Sequence, residues 1–85
     1  MKWEDVRQAF PDTWVLIEAT RAYTNEQSER ILEEIVPLNK FSNSPDAMRA
    51  YQEIHREDPN KELYVLHTNR TDPGIVEKKL VGVRR

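Results

Sequence analysis

The chain has 85 residues, 38% hydrophobic and 33% charged, with 13 basic against 15 acidic side chains and a formal net charge of -2. A chain this short buries roughly two thirds of its unfolded surface, enough for one core and a single α+β domain over residues 1–85, with no room for a second catalytic domain. Cysteine is absent, which excludes disulfide staples, thiolate metal sites and cysteine nucleophiles, and the near-neutral balance disfavours nucleic acid as a partner.

The opening Met1-Lys2-Trp3-Glu4-Asp5 carries charge where a signal peptide needs an apolar run, so a cytoplasmic protein is expected. The longest apolar run, Trp14-Val15-Leu16-Ile17, is far short of the roughly 20 residues a membrane helix needs. Trp3, Val6 and Phe10 recur at steps of three and four, which predicts a short amphipathic helix ended by Pro11. Thr13 to Ala19 is β-branched and aromatic around an apolar centre, and reads as a strand buried on both faces in the middle of a sheet. Thr24 to Ser28 suits a turn.

Residues 30–41 admit two readings. A helix would place Ile31, Leu32 and Ile35 on one face behind a capping box of Thr24 and Gln27; a strand would pair back on the first as a long hairpin. Pro37 favours the strand, at an edge where its missing donor can face solvent. Ser44 offers an N-cap hydroxyl, Pro45 fits the first helical position and Asp46 faces the positive helix end, so a helix over 45–57 follows. Ala47, Ala50, Tyr51 and Ile54 form its buried face, with Arg49, Gln52, Glu53 and Arg56 opposite. Leu63 to Thr68 reads as a further strand. Asp72-Pro73-Gly74 is a turn signal that would send Ile75 to Val83 back as its hairpin partner.

The expected fold is therefore a short N-terminal helix and then β-β-α-β-β. A crossover through one helix brings the third strand beside the first. This gives an antiparallel four-stranded sheet in the order 2-1-3-4, covered on one face by the 45–57 helix. The other face is left to the N-terminal helix or to a second copy.

Few residues invite chemistry. His67 ends one strand and Glu18 lies late in its neighbour, so an imidazole and a carboxylate across the sheet would suit a small hydrolase or isomerase. Thr68 points to the opposite face from His67 and cannot form a dyad with it. The two histidines, His55 and His67, lack ligand spacing, so neither a metal nor a cofactor is expected. In the basic tail, Lys78, Lys79, Arg84 and Arg85 would serve weak nucleic-acid binding, or would blunt an exposed edge strand. Glu26, Glu29, Glu33 and Glu34 form an acidic counterpart that would help two copies find register. Trp3, Phe10 and Trp14 read as core.

The segments P-D-T-W-V-L-I-E-A (Pro11 to Ala19), F-S-N-S-P-D-A-M-R-A-Y-Q-E-I-H-R (Phe41 to Arg56), E-L-Y-V-L-H-T (Glu62 to Thr68) and G-V-R-R (Gly82 to Arg85) resemble a family of small uncharacterised bacterial proteins across nearly the whole chain. That resemblance implies no catalytic or binding residues. Some members are encoded near a retroviral-type aspartyl protease, which would imply an accessory role. The chain lacks that enzyme's D-T-G or D-S-G signature, since Asp12-Thr13 is followed by Trp14. The leading expectation is a non-enzymatic module that forms a homo-oligomer, a dimer first, or docks a protein partner through an edge strand or an uncovered sheet face.

Overall fold

A computed structural model of the chain describes residues 1–75. Helix α1 spans Trp3–Ala9, strand β1 Trp14–Thr24, strand β2 Arg30–Phe41, helix α2 Ser44–Glu57 and strand β3 Leu63–His67. The fold is α+β, and the described residues form an antiparallel three-stranded sheet in the order β2-β1-β3. The central place of β1 follows from its composition. Val15, Leu16 and Ile17 are fully buried, and consecutive strand residues point to opposite faces, so both faces of β1 must be covered. Trp3 and Val6 of α1 join Val15, Ile17, Ile35 and Leu66 in the core on one face. On the other, α2 packs against all three strands and buries Ala47 completely.

Residues 30–41 are the edge strand, and Pro37 explains how. Ile35 makes no hydrogen bond to β1. Its N–H donates to the Met1 carbonyl at 2.9 Å and its carbonyl accepts from the Met1 ammonium at 3.0 Å. Pro37 lies two residues on, so the amide it lacks also faces outward and no bond of the β1 ladder is lost. The register slips between Leu16 and Ile17, whose partners are Asn39 and Pro37, so Leu38 is bulged.

Three expectations need correction. The N-cap of α2 is Asn43, whose side chain accepts from the Asp46 N–H at 2.9 Å; Ser44 already has helical geometry. Both types cap well, and the one that retains extended backbone takes the role. Strand β1 also runs five residues beyond Ala19. Asn25 closes that hairpin by accepting, through its side-chain oxygen, the N–H groups of Gln27 and Glu29 at 2.9 Å each. Ser28, at φ 64°, makes the left-handed step.

The third correction concerns the four-stranded order. The turn at Asp72–Gly74 forms, with Gly74 at φ 61° and its N–H on Asp72 Oδ1 at 2.7 Å. Ile75, the one described residue after it, does not pair with β3. Trp3 Nε1 donates to the Arg70 carbonyl at 2.9 Å and Arg7 Nε to the Thr68 carbonyl at 2.9 Å, holding the chain against α1. The Ile75 carbonyl then accepts from the Arg30 N–H at 2.9 Å, at the start of β2. The rest of the expected fourth strand lies outside the described residues.

Candidate functional site

The expected catalytic pair is not brought together. His67 faces Trp14 and Glu18 faces Leu63 in the β1–β3 register. Both side chains lie on the α2 face, but four residues of strand separate them, about 13 Å. His67 packs edge-on against Trp14 with centroids 5.0 Å apart. Its Nδ1 accepts from the Asn69 N–H at 3.1 Å, and its Nε2 lies 4.0 Å from Asp12. Glu18 is held by Lys61 Nζ, 3.4 Å from each carboxylate oxygen. Thr68 is buried on the opposite face, with its hydroxyl accepting from the Thr13 N–H at 3.0 Å and donating to the Thr13 carbonyl at 3.2 Å. His55 stacks on Tyr51. Among the described residues no three His, Asp or Glu side chains converge as metal ligands. Lys78, Lys79, Arg84 and Arg85 lie outside the described residues.

The densest polar cluster is one that sequence reasoning missed. Arg30 forks onto Glu62, Nε to Oε2 and Nη2 to Oε1 at 2.8 Å each, and its Nη1 donates to the Thr24 hydroxyl at 3.1 Å. The Tyr64 hydroxyl donates to the same Glu62 Oε2 at 2.5 Å. Arg30 holds the Glu62 carboxyl below its ordinary value, against the opposing effect of burial. Burial, reinforced by that carboxylate, pushes the Tyr64 phenol up to about 12. Every donor named here has an acceptor, with Arg30 Nε and the Tyr64 hydroxyl sharing Glu62 Oε2, so the cluster is a strut from the start of β2 to the entry of β3. Arg30 and Glu62 are 32 residues apart in sequence, and no local pattern announces their pairing.

The groove between the ends of α1 and β2, about 500 Å³, is lined by Phe10, Pro11, Asp12, Lys40 and Phe41 among others, and Asp12 is met by Asn69 and His67. Comparison with known protein families, with characterised proteins and with solved structures finds no match to this chain.

What remains is the outer edge of β3. Thr68 N–H donates to the Thr13 carbonyl and Ala19 N–H to the Glu62 carbonyl, at 2.9 and 2.8 Å. The even-numbered residues of this strand thus pair with β1, and by alternation Leu63, Val65 and His67 point their N–H and C=O groups away from it. Among the described residues the single hydrogen bond to these outward groups is Arg70 N–H to the His67 carbonyl, at 3.1 Å. The five residues Leu-Tyr-Val-Leu-His hold no proline, lysine or carboxylate, so among the described residues shortness alone blunts this edge. No helix among the described residues is long and apolar enough to cross a membrane.

Proposed function

We propose that this chain is a small, non-enzymatic, cytoplasmic protein-interaction module that docks an extended polypeptide strand along the outer edge of β3. A single observation supports this reading: the outward N–H and C=O groups of Leu63, Val65 and His67 form a short apolar template that, among the described residues, meets only the Arg70 N–H. An added strand gains affinity from main-chain hydrogen bonds, and the side chains on either face of β3 supply selectivity. The alternative of a hydrolase or isomerase is disfavoured by the distance between His67 and Glu18 and by the local partner each already has. Weak nucleic-acid binding through Lys78, Lys79, Arg84 and Arg85 predicts a salt-dependent affinity reduced by charge reversal at Arg84 and Arg85.

The probe for the leading reading is a peptide copying Glu62 to Thr68, titrated into isotopically labelled protein. The amide resonances of Leu63, Val65 and His67 should shift while those of Tyr64 and Leu66, already bonded to β1, stay in place. Shifts centred on β2, or none at all in a protein that is monomeric, would overturn it.

A further inference from the structure

We infer that the strand completing the β3 edge is β3 of a second copy, antiparallel to the first, with the two-fold axis passing through Val65. This rests on the docking reading above and names its partner. In such a pairing Val65 faces Val65, Leu63 faces His67 and His67 faces Leu63. Every outward residue therefore meets an outward residue, and three pairs of two bonds give roughly six hydrogen bonds. The His67 carbonyl, already accepting from Arg70, keeps a second lone pair for this.

Charge supports the same register. Lys61 is two residues before Leu63 and faces Asn69 of the second copy, on the α2 side by alternation. Asn69 Nδ2 donates to Asp12 Oδ1 at 2.9 Å, and that carboxylate is 80% exposed, with His67 Nε2 also near it at 4.0 Å. The pairing thus places Lys61, 38% exposed and 3.4 Å from Glu18 of its own copy, beside a second and more exposed carboxylate twice, once on each side of the axis. No like charges confront one another: Glu62 faces Thr68 and Tyr64 faces Leu66.

The other edge cannot substitute. Met1 occupies the outward groups of Ile35, the Ile75 carbonyl takes the Arg30 N–H, Pro37 has no donor and Leu38 is bulged. Head-to-tail pairing of β3 with β2 of another copy is therefore blocked. Assembly closes at a dimer with a six-stranded sheet in the order β2-β1-β3-β3-β1-β2.

The chain has no cysteine, so Val65→Cys creates its sole thiol at the axis, where the spacing of a bonded antiparallel pair lies within disulfide range. Oxidation should convert the protein to a covalent dimer, whereas Val36→Cys on exposed β2 should form no disulfide within the dimer and run as a single chain under denaturing conditions. Light scattering should give twice the chain mass for the wild type. Val65→Glu and Val65→Lys should each fall to monomer, and their equimolar mixture should recover the dimer, since residue 65 faces itself. A monomeric wild type at every concentration, or a Val65→Cys protein that resists oxidative dimerisation, overturns the inference. If the charged variants fail to fold, the thiol variant and wild-type amide exchange at Leu63, Val65 and His67 decide it: exchange slowed on concentration supports the dimer, and unchanged exchange refutes it. Binding of the Glu62–Thr68 peptide by a monomeric protein would sink the dimer alone; failure of both would sink the docking reading as well.

Discussion

β2 and β3 both border β1, and their outer edges are built in opposite ways. β2 is 12 residues long and β3 only five. The long edge offers more unpaired backbone and so a greater hazard of open-ended pairing, and it carries the guards: a main-chain clasp from Met1, a carbonyl from Ile75, a proline and a bulge. Charges add to them, since Glu34 and the Met1 ammonium lie 3.6 Å apart beside the clasp. Among the described residues the short edge carries none of these. A sheet with two open ends polymerises; one with a single open end docks one strand and stops. The difference between the edges therefore bears on function in a way that neither strand does alone.

The largest effect should come from Ile35, which ties the two sides of this contrast together. Its side chain is 1% exposed in the core while its backbone holds Met1. Ile35→Ala should cost about 2–5 kcal/mol in urea unfolding, through lost transfer energy and the cavity left behind. The backbone clasp survives the substitution, so the association state of the folded fraction should not change. A variant that aggregates from its folded state would show that the guard is the Ile35 side chain and not the Met1 main chain.

The strut between the two edges comes next. Glu62→Gln breaks a charged fork whose two side chains are each 27% exposed, and should cost about 1–3 kcal/mol at neutral pH. The sign of the pH dependence follows from the shift. The folded Glu62 carboxyl lies below its ordinary value of 4.5, chiefly because of Arg30. Its contribution is therefore present above that value and is lost as pH falls through the folded value. Unfolding midpoints taken downward from pH 5 should fall more steeply for the wild type than for the variant. Tyr64 acts at the other end of the scale: its phenol, raised to about 12, contributes below pH 10 and loses its effect as pH rises toward 12. Equal acid slopes for wild type and variant would mean that the strut does not couple the edges.

Much of the frame could be read before any coordinates. Trp14 to Ile17 requires cover on both faces, which makes β1 central; Pro37 belongs at an edge; the spacing of Ala47, Ala50, Tyr51 and Ile54 lays α2 on the sheet. What escaped reading was long-range. Arg30, Glu62 and Tyr64 look like ordinary surface residues until the fold aligns them. Asp72-Pro73-Gly74 announces a turn but not where the chain goes next. That direction is set by Trp3 and Arg7, more than 60 residues away, through bonds to the Arg70 and Thr68 carbonyls. The course of the chain from Thr68 to Ile75 was thus hidden, because a hairpin with β3 was the simplest local reading.

A smaller effect serves as a control on the comparison. Asn43 caps α2 away from either edge, so Asn43→Ala should cost about 1 kcal/mol and Ser44→Ala clearly less. Both proteins should keep the wild-type association state. If Asn43→Ala shifted that state, general loosening would govern association and the contrast between the edges would lose its force.

The smallest change in stability should be the most direct test of the guarded edge. Pro37 sits opposite Ile17 with its nitrogen facing away from β1, so Pro37→Val returns an outward N–H and removes no bond within the sheet. Valine suits extended backbone, and the stability change should stay within about 0.5 kcal/mol. Val36 and Leu38 beside it are already 43% and 38% exposed, so the restored donor would complete a patch able to accept a strand. Pro37→Val should therefore form species larger than the wild type in light scattering, by a β2 contact that the Glu62–Thr68 peptide does not dissolve. An unchanged mass would assign the guarding of β2 to the Met1 clasp and the Leu38 bulge, with Pro37 merely tolerated there.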